Sequence, residues 1–392
     1  LGRNSGVLDA VLSGEFFAEW PDQDALQSQL STTLAQASDY ETGLNLARIW
    51  TKEWHFRIGV HVLQEIITPK AALKQYAQLA QAVLVAVFAF VHREFARKYG
   101  DIARSDSTIL AMGSLGAGQL NSDSDLDLIL IFDADPSALS GGPKTLPCLQ
   151  YFSRLTQALI TALTAPTAYG QLYEVDMRLR PSGRSGPVAT SITGFEVYQR
   201  NVAWTWEHLA LTRGRAITGR VEFREKVEDL RQRILDEKSN WAKVMSGVRD
   251  MRVRLAESKP QQGLWDIKRG PGGLQDIELL GQGIALVQHC REVATAAQLH
   301  SGLSAEHMEV GTLDELARSH DWLSDLRLLH RLMCGTNTQD AAVGEGGRAR
   351  LFRIFQIDED LDFEHILLTK RAHCVQIIDG ILGQIEGQGY EI

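Results

Sequence analysis

The sequence predicts an α+β protein, predominantly helical, with a β-containing central segment held between N- and C-terminal helical regions. Three observations carry this expectation. Apolar residues recur at helical spacing through the first hundred residues and again after Gly219. Between those stretches, DLDLILIFD (125–133) has strand composition, and Tyr173, Val175, Met177 and Leu179 alternate with Glu174, Asp176, Arg178 and Arg180. A chain of 392 residues also exceeds the size at which one core usually splits, so we divide it into a helical region 1–100, a catalytic domain 101–220 and a C-terminal helical bundle 221–392.

In the first region the clearest helix opens at Thr68, an N-cap, with Pro69 at its first position and Gly100 as its stop; Leu73, Ala77, Ala80 and Leu84 form its apolar stripe. In the centre, SDSTILAMGS leads into a glycine turn, and residues 133–147 carry the turn formers of a loop. Leu149, Phe152, Leu155, Leu159 and Leu163 then mark an amphipathic helix, followed by the alternating strand QLYEVDMRLRP. Beyond Gly219, Val227, Leu230 and Ile234 form one helical stripe, and Val244, Val248, Met251 and Leu255 another. Thr312 and Glu315 fit a capping box, and the last helix is expected from about Asp362. Residues 265–282, WDIKRGPGGLQDIELLGQ, are the irregular patch of this half.

Composition narrows the function classes. Hydrophobic residues at 44% and charged residues at 23% are those of a globular chain. A formal charge of −9 disfavours a nucleic-acid partner, which needs clustered Lys and Arg. The longest wholly apolar run, Ala82 to Val91, is half of the roughly 20 residues a bilayer requires, and no signal peptide or lipidation motif is seen. A soluble, cytoplasmic chain without membrane contact is expected. It begins with Leu1 rather than Met, as a piece of a longer protein would. Cys148, Cys290, Cys334 and Cys374 show no CxxC or zinc-ligand spacing and read as reduced thiols.

The chemistry concentrates in ILAMGSLGAGQLNSDSDLDLILIF, 109–132. On a strand Asp125 and Asp127 project from one face with Cα atoms about 6.6 Å apart. Carboxylates that close repel unless a proton or a hard cation lies between them. Gly113, Gly116 and Gly118 form a turn that fits neither a Walker A loop nor GxGxxG, but whose backbone N–H groups can approach a phosphate, with the Ser114 hydroxyl beside them. Asp176, on the later strand, supplies a third acid. A Gly-Ser turn, Asp-x-Asp on a strand and a third carboxylate suit an in-line displacement at phosphorus assisted by two metals.

GSLGAGQLNSDSDLDL resembles the active-site signature of the DNA polymerase β-like nucleotidyltransferases, and so implies a mixed-sheet catalytic domain. YEVDMRLRPSGRSGP, AWTWEHLALTRGRAITG and DIKRGPGGLQDIELLGQ resemble, in that order, blocks of glutamine synthetase adenylyltransferase, most closely its C-terminal, adenylylating half. The resemblance implies AMP transfer from ATP to a tyrosine of glutamine synthetase. It further implies Mg²⁺, with Mn²⁺ as the alternative, and regulation by glutamine and a PII-type signal protein. The metal ligands and catalytic groups would be Asp125, Asp127 and Asp176; the nucleotide would be held by Gly113, Ser114, Ser124, Arg178 and Arg180. Family members usually read GKLGG at the turn, whereas this chain has Ser114 in place of the lysine.

Several assignments stay open at this level. Arg178, Arg180 and Arg184 either clamp phosphate or balance the acids, and Arg213 and Arg215 either reach nucleotide or form ion pairs. Trp204 and Trp206 read as core rather than as a stacking platform. Lys268 and Arg269 approach phosphate or the protein substrate, while Asp276 and Glu278 anchor the following helix. The rival functions are the reverse reaction, phosphorolytic removal of AMP, and a regulatory docking module with a decayed site.

Overall fold

Helices begin where short polar side chains can cap them. α1 (Gln23–Ala35), α2 (Tyr40–Leu63) and α3 (Pro69–Tyr99) open at Asp22, Asp39 and Thr68, whose side chains accept from the backbone N–H of Ala25, Thr42 and Ala71. The structure, a computed structural model, describes residues 15–304, 310–335 and 343–387. The expected limits of α3 hold at both ends, Thr68 and Gly100. By length and composition α3 is apolar enough to cross a membrane. Here its apolar surface, including Leu73, Ala77, Ala80 and Leu84, is buried against α1, α2 and later helices.

The central segment builds a mixed five-stranded sheet, as expected. β1 (Asp106–Ala111) runs antiparallel to β2 (Leu126–Asp133), and a short helical turn, α4 (Gly113–Gly116), follows β1. α5 (Cys148–Thr164) covers the sheet with Tyr151, Phe152, Leu155, Leu159 and Leu163 inward; Leu149, expected on that face, is exposed because the stripe begins at Cys148. The free edge of β2 is shared lengthwise. β3 (Val175–Asp176) pairs parallel with its first residues and β4 (Ala189–Ser191) with Leu130–Phe132.

The alternating run QLYEVDMRLRP therefore yields two strand residues instead of a long strand. The Asp176 side chain accepts from the Arg178 backbone N–H at 2.8 Å, which bends the chain out of the ladder. After α6 (Ile192–Asn201) and α7 (Thr205–Leu211), β5 (Arg215–Ala216) closes the outer edge of β1. Trp204, read from sequence as core, is 65% exposed at the start of α7: the helix buries Leu209 and Leu211 instead.

The C-terminal half consists of α8 (Val221–Asp236), α9 (Trp241–Ser258), α10 (Leu274–Val287), α11 (Thr295–His300), α12 (Val310–Cys334), α13 (Glu345–Phe355) and α14 (Phe363–Gly387). α12 starts at or before Val310, so Thr312 lies within the helix and not at its cap. Buried residues from Leu30 to Leu382 form one contiguous apolar core. α12 is tied to α3 by the ion pair between Lys70 and Asp321 (2.6 Å).

Asp325 on α12 has a buried oxygen without a hydrogen-bond partner. Burial, with Asp321 adding and Lys70 and His320 opposing, pushes its carboxyl up to about 7. The folded value exceeds the unfolded one, so this group's contribution to stability is full below the unfolded value and is lost as pH rises through about 7. Asp325→Asn is expected to be more stable than the wild type at pH 8 by at least about 1 kcal/mol, with the gap shrinking toward pH 5. Denaturant titrations that give parallel pH profiles for the two proteins would contradict this.

Candidate functional site

The acids meet because of strand register. Asp127 on β2 lies directly opposite Asp176 on β3, and Asp125 precedes β2 by one residue on the same face as Asp127. Leu126 and Leu128, of opposite parity, are buried beneath. Burial, reinforced by Asp125 and Asp176, pushes the Asp127 carboxyl up to about 6, while Lys268 and Arg213 pull the other way. Asp176 differs. Burial raises its carboxyl, but hydrogen bonds from the Arg178 side chain and backbone outweigh that and hold it below the usual range.

The glycine turn fits against Asp127. Gly113 has φ +57°, and a Cβ added there would stand 2.4 Å from Asp127 Oδ2, so only glycine lets the carboxylate lie over the backbone. Met112 N–H donates to the Asp127 carbonyl at 2.8 Å and locks the turn to the strand. Arg215 donates to the carbonyls of Leu115 and Gly116 and to Gln81, supporting the turn from below. Arg213 is buried and pairs with Glu278 at 2.9 Å, with His320 3.7 Å from the same carboxylate. Burial raises the Glu278 carboxyl, yet Arg213, His320 and Lys268 more than offset it and hold it below the usual range. Of the two readings left open, Arg213 and Arg215 thus serve the scaffold.

The cations proposed to hold nucleotide are largely occupied. Arg178 is paired with Asp176. Arg180 donates to the carbonyls of Met177, Gly186 and Pro187, folding residues 177–187 into a compact loop. Ser114 and Ser124 open onto different cavities. Ser114 lines a small one with Asn121, Arg213 and Arg327, whereas Ser124 lines a cavity of about 270 Å³ with Arg48, His55 and Tyr173.

Lys268, which sequence left open, is brought by the fold near the acids: the charges of Asp125 and Asp127 oppose the lowering of its pKa by burial, and its own charge opposes the raising of the Asp127 carboxyl. Arg327 and Arg331 on α12 were not singled out by sequence; both reach Asp123, two residues before Asp125. Nothing in a local pattern connects positions some two hundred residues apart. Asp276 accepts from Gly272 N–H at 2.9 Å and from Arg252, anchoring the start of α10 as expected.

Three carboxylates at one sheet edge form an oxygen-only donor set with uncompensated charge at Asp127, which suits a hard divalent cation. As the side chains lie, no group of three His, Cys, Asp or Glu among the described residues is placed to ligate one ion. Asp176 is turned onto Arg178, so a cation shared by all three acids has to displace that guanidinium.

A family model described as glutamate-ammonia ligase adenylyltransferase matches residues 1–230, and one described as GlnD PII-uridylyltransferase matches residues 249–379. A bifunctional glutamine synthetase adenylyltransferase/adenylyl-removing enzyme of Rhodopseudomonas palustris (strain ATCC BAA-98 / CGA009) is 41% identical over 293 residues, 74% of this chain and 30% of that protein. Proteins of the same description from Rhizobium meliloti and Xanthobacter autotrophicus are 41% identical over 333 residues (83% of this chain, 34% of that protein) and 36% identical over 389 residues (97% and 39%). The chain spans between 30% and 39% of the length of these relatives.

Two outcomes are expected. Gly113→Ala, which forces a Cβ into the Asp127 carboxylate, should weaken Mg²⁺ binding measured by calorimetry while costing only about 1–2 kcal/mol of stability; undiminished Mg²⁺ affinity would separate the turn from the acids. Asp127, raised to about 6, must lose its proton to meet a cation, so its ionised form destabilises the metal-free fold as pH rises through that value. The increase in Tm on adding Mg²⁺ should therefore be larger at pH 8 than at pH 5, and equal increases would count against the assignment.

Proposed function

The chain belongs to the glutamate-ammonia ligase adenylyltransferase family, and from that premise we propose that it transfers AMP from ATP to a tyrosine hydroxyl of glutamine synthetase. The observation that carries the reading is the register of Asp127 opposite Asp176, with Asp125 beside them, against a glycine turn whose backbone lies under the Asp127 carboxylate. The relatives are described as glutamine synthetase adenylyltransferase/adenylyl-removing enzymes, which supports the protein substrate and the group transferred.

In this mechanism Asp125, Asp127 and Asp176 are the residues that would hold divalent cations, Mg²⁺ or Mn²⁺. Such ions supply charge neutralisation at phosphate oxygens and lower the pKa of a bound hydroxyl. The tyrosine oxygen attacks the α-phosphorus, the bond from that phosphorus to the β-phosphate oxygen breaks, and pyrophosphate leaves with the electron pair. A tyrosine hydroxyl has a pKa near 10, and Asp176, once Arg178 has moved off its carboxylate, orients that hydroxyl and takes its proton as the bond to phosphorus forms. Gly113 and Ser114 approach the phosphates through backbone and hydroxyl; Ser124, Arg178 and Arg180 would join them only after rearrangement, since Ser124 opens onto another cavity and the two arginines are held by Asp176 and by backbone carbonyls.

The domain division at about residues 100 and 220 fits this assignment, with the GlnD PII-uridylyltransferase match, 249–379, lying in the C-terminal helices. That match supports the C-terminal helices as the place where a PII-type signal protein, and glutamine as effector, bias the site.

The description of the relatives also names adenylyl removal, which favours one second reading: phosphate attacks adenylyl-tyrosine and releases ADP. Incubation with α-labelled ATP, Mg²⁺ and glutamine synthetase should label the synthetase, and Asp127→Asn should reduce labelling by at least about 10³-fold with Tm preserved. Rapid ADP formation from adenylylated synthetase and phosphate, without labelling from ATP, would reverse the direction. Undiminished turnover by Asp127→Asn would remove the carboxylate from the mechanism.

A further inference from the structure

The loop 265–273, between α9 and α10, is held in place from several sides. Ile267 is buried, and Trp265 stacks on His330 of α12 at 5.0 Å between ring centres. Arg371 of α14, itself buried, donates to the carbonyls of Asp266 (3.1 Å), Arg269 (2.7 Å) and Pro271 (3.2 Å). Gly272, at φ +66°, lies so close to Arg371 that a Cβ would stand 2.1 Å from its carbonyl oxygen. The glycines and proline of IKRGPGG thus build a fixed loop.

This loop carries Lys268 toward the acids. Among the described residues the Lys268 ammonium forms no hydrogen bond and no ion pair. Burial holds its pKa below the usual lysine value, and Arg327 adds to that effect, while Glu278, Asp125 and Asp127 act in the opposite sense. A part-buried ammonium without a partner is costly, and the cost is offset only when an anion meets it.

Beside Lys268 lies a cavity of about 170 Å³, lined by Arg269, Arg327, Arg331 and His330 together with Asp123 and Asp266. That is several times the roughly 30 Å³ a water molecule occupies in the liquid. Both carboxylates are engaged: Asp123 pairs with Arg331 and stands 3.8 Å from Arg327, and Asp266 accepts from the backbone of Gln262 and Arg269. Arg327 also lines the smaller cavity that contains Ser114, so its side chain borders both spaces. The other cations near the acids have partners already, Arg178 in Asp176, Arg180 in backbone carbonyls and Arg213 in Glu278.

We propose that this cavity is a phosphate subsite in which Lys268 and Arg327, supplied by the C-terminal helical region, grip the terminal phosphates of the nucleotide or the pyrophosphate that leaves. The proposal rests on the reading of the acids as a nucleotidyl-transfer site. It supplies from the C-terminal half a positive charge that Ser114, standing where family members usually carry lysine, does not provide.

The test is calorimetric titration of the whole chain with inorganic pyrophosphate in buffer containing EDTA, so that binding does not depend on metal at the carboxylates. Lys268→Met should weaken binding by about tenfold or more, and Lys268→Arg should retain it within about threefold. Tm of Lys268→Met should not fall, because an unpartnered buried charge is removed. Equal pyrophosphate affinity of the wild type and Lys268→Met, or no binding by the wild type, would overturn the subsite. Labelling of glutamine synthetase by the wild type keeps its meaning in each case. Labelling with pyrophosphate affinity insensitive to Lys268 sinks only the subsite, whereas Lys268-dependent affinity without labelling sinks only the proposed reaction.

Discussion

Like charge at one sheet edge is the constraint on which the rest of the structure depends. Asp127 and Asp176 face each other in register, Asp125 shares their side from an exposed position, and burial of Asp127 limits the screening of its charge. Such a group is tolerable only if surrounding cations and ligands answer it. The fold answers in layers: Arg178 on Asp176 at the rim, Arg213 with Glu278 beneath, and Lys268 from a loop late in the sequence.

The scaffold makes this arrangement rigid without placing more charge inside it. β2 buries Leu126, Leu128 and the apolar run to Phe132, so its N-terminal end cannot slip by one residue without turning those side chains outward and the acids inward. Gly113 lets the turn lie over Asp127, and Arg215 supports that turn through its carbonyls. α12 brings the C-terminal helices onto the same spot through Lys70 with Asp321 and Arg331 with Asp123. The C-terminal helices therefore share one ion pair with the segment that leads into β2 and another with α3.

Much of this was legible in the sequence, for identifiable reasons. Thr68, Pro69 and Gly100 delimit α3 because capping and proline geometry are local. The Asp-x-Asp parity follows from strand periodicity alone. Readings failed where a local pattern had a competitor. QLYEVDMRLRP alternates like a long strand, but Asp176 bonds to the backbone two residues on and ends the pairing after two residues. Trp204 read as core because tryptophan is large and apolar, yet the start of α7 leaves it outside. Arg180, left open in sequence between clamping phosphate and balancing the acids, bonds in the fold to three backbone carbonyls, a role that depends on where the loop 177–187 closes.

The sequence by itself determined the fold class, the helix limits near strong caps, the family, and the presence of two acids on one strand face beside a glycine turn. These are set by residues within one or two turns of each other. Tertiary structure alone decided which residue opposes Asp127, which arginines are already occupied, and that the charge of Lys268 acts on Asp127 without a hydrogen bond or ion pair of its own among the described residues. Those are facts of register and long-range packing. The energy of a charge depends on what surrounds it in space, which a linear spacing does not carry.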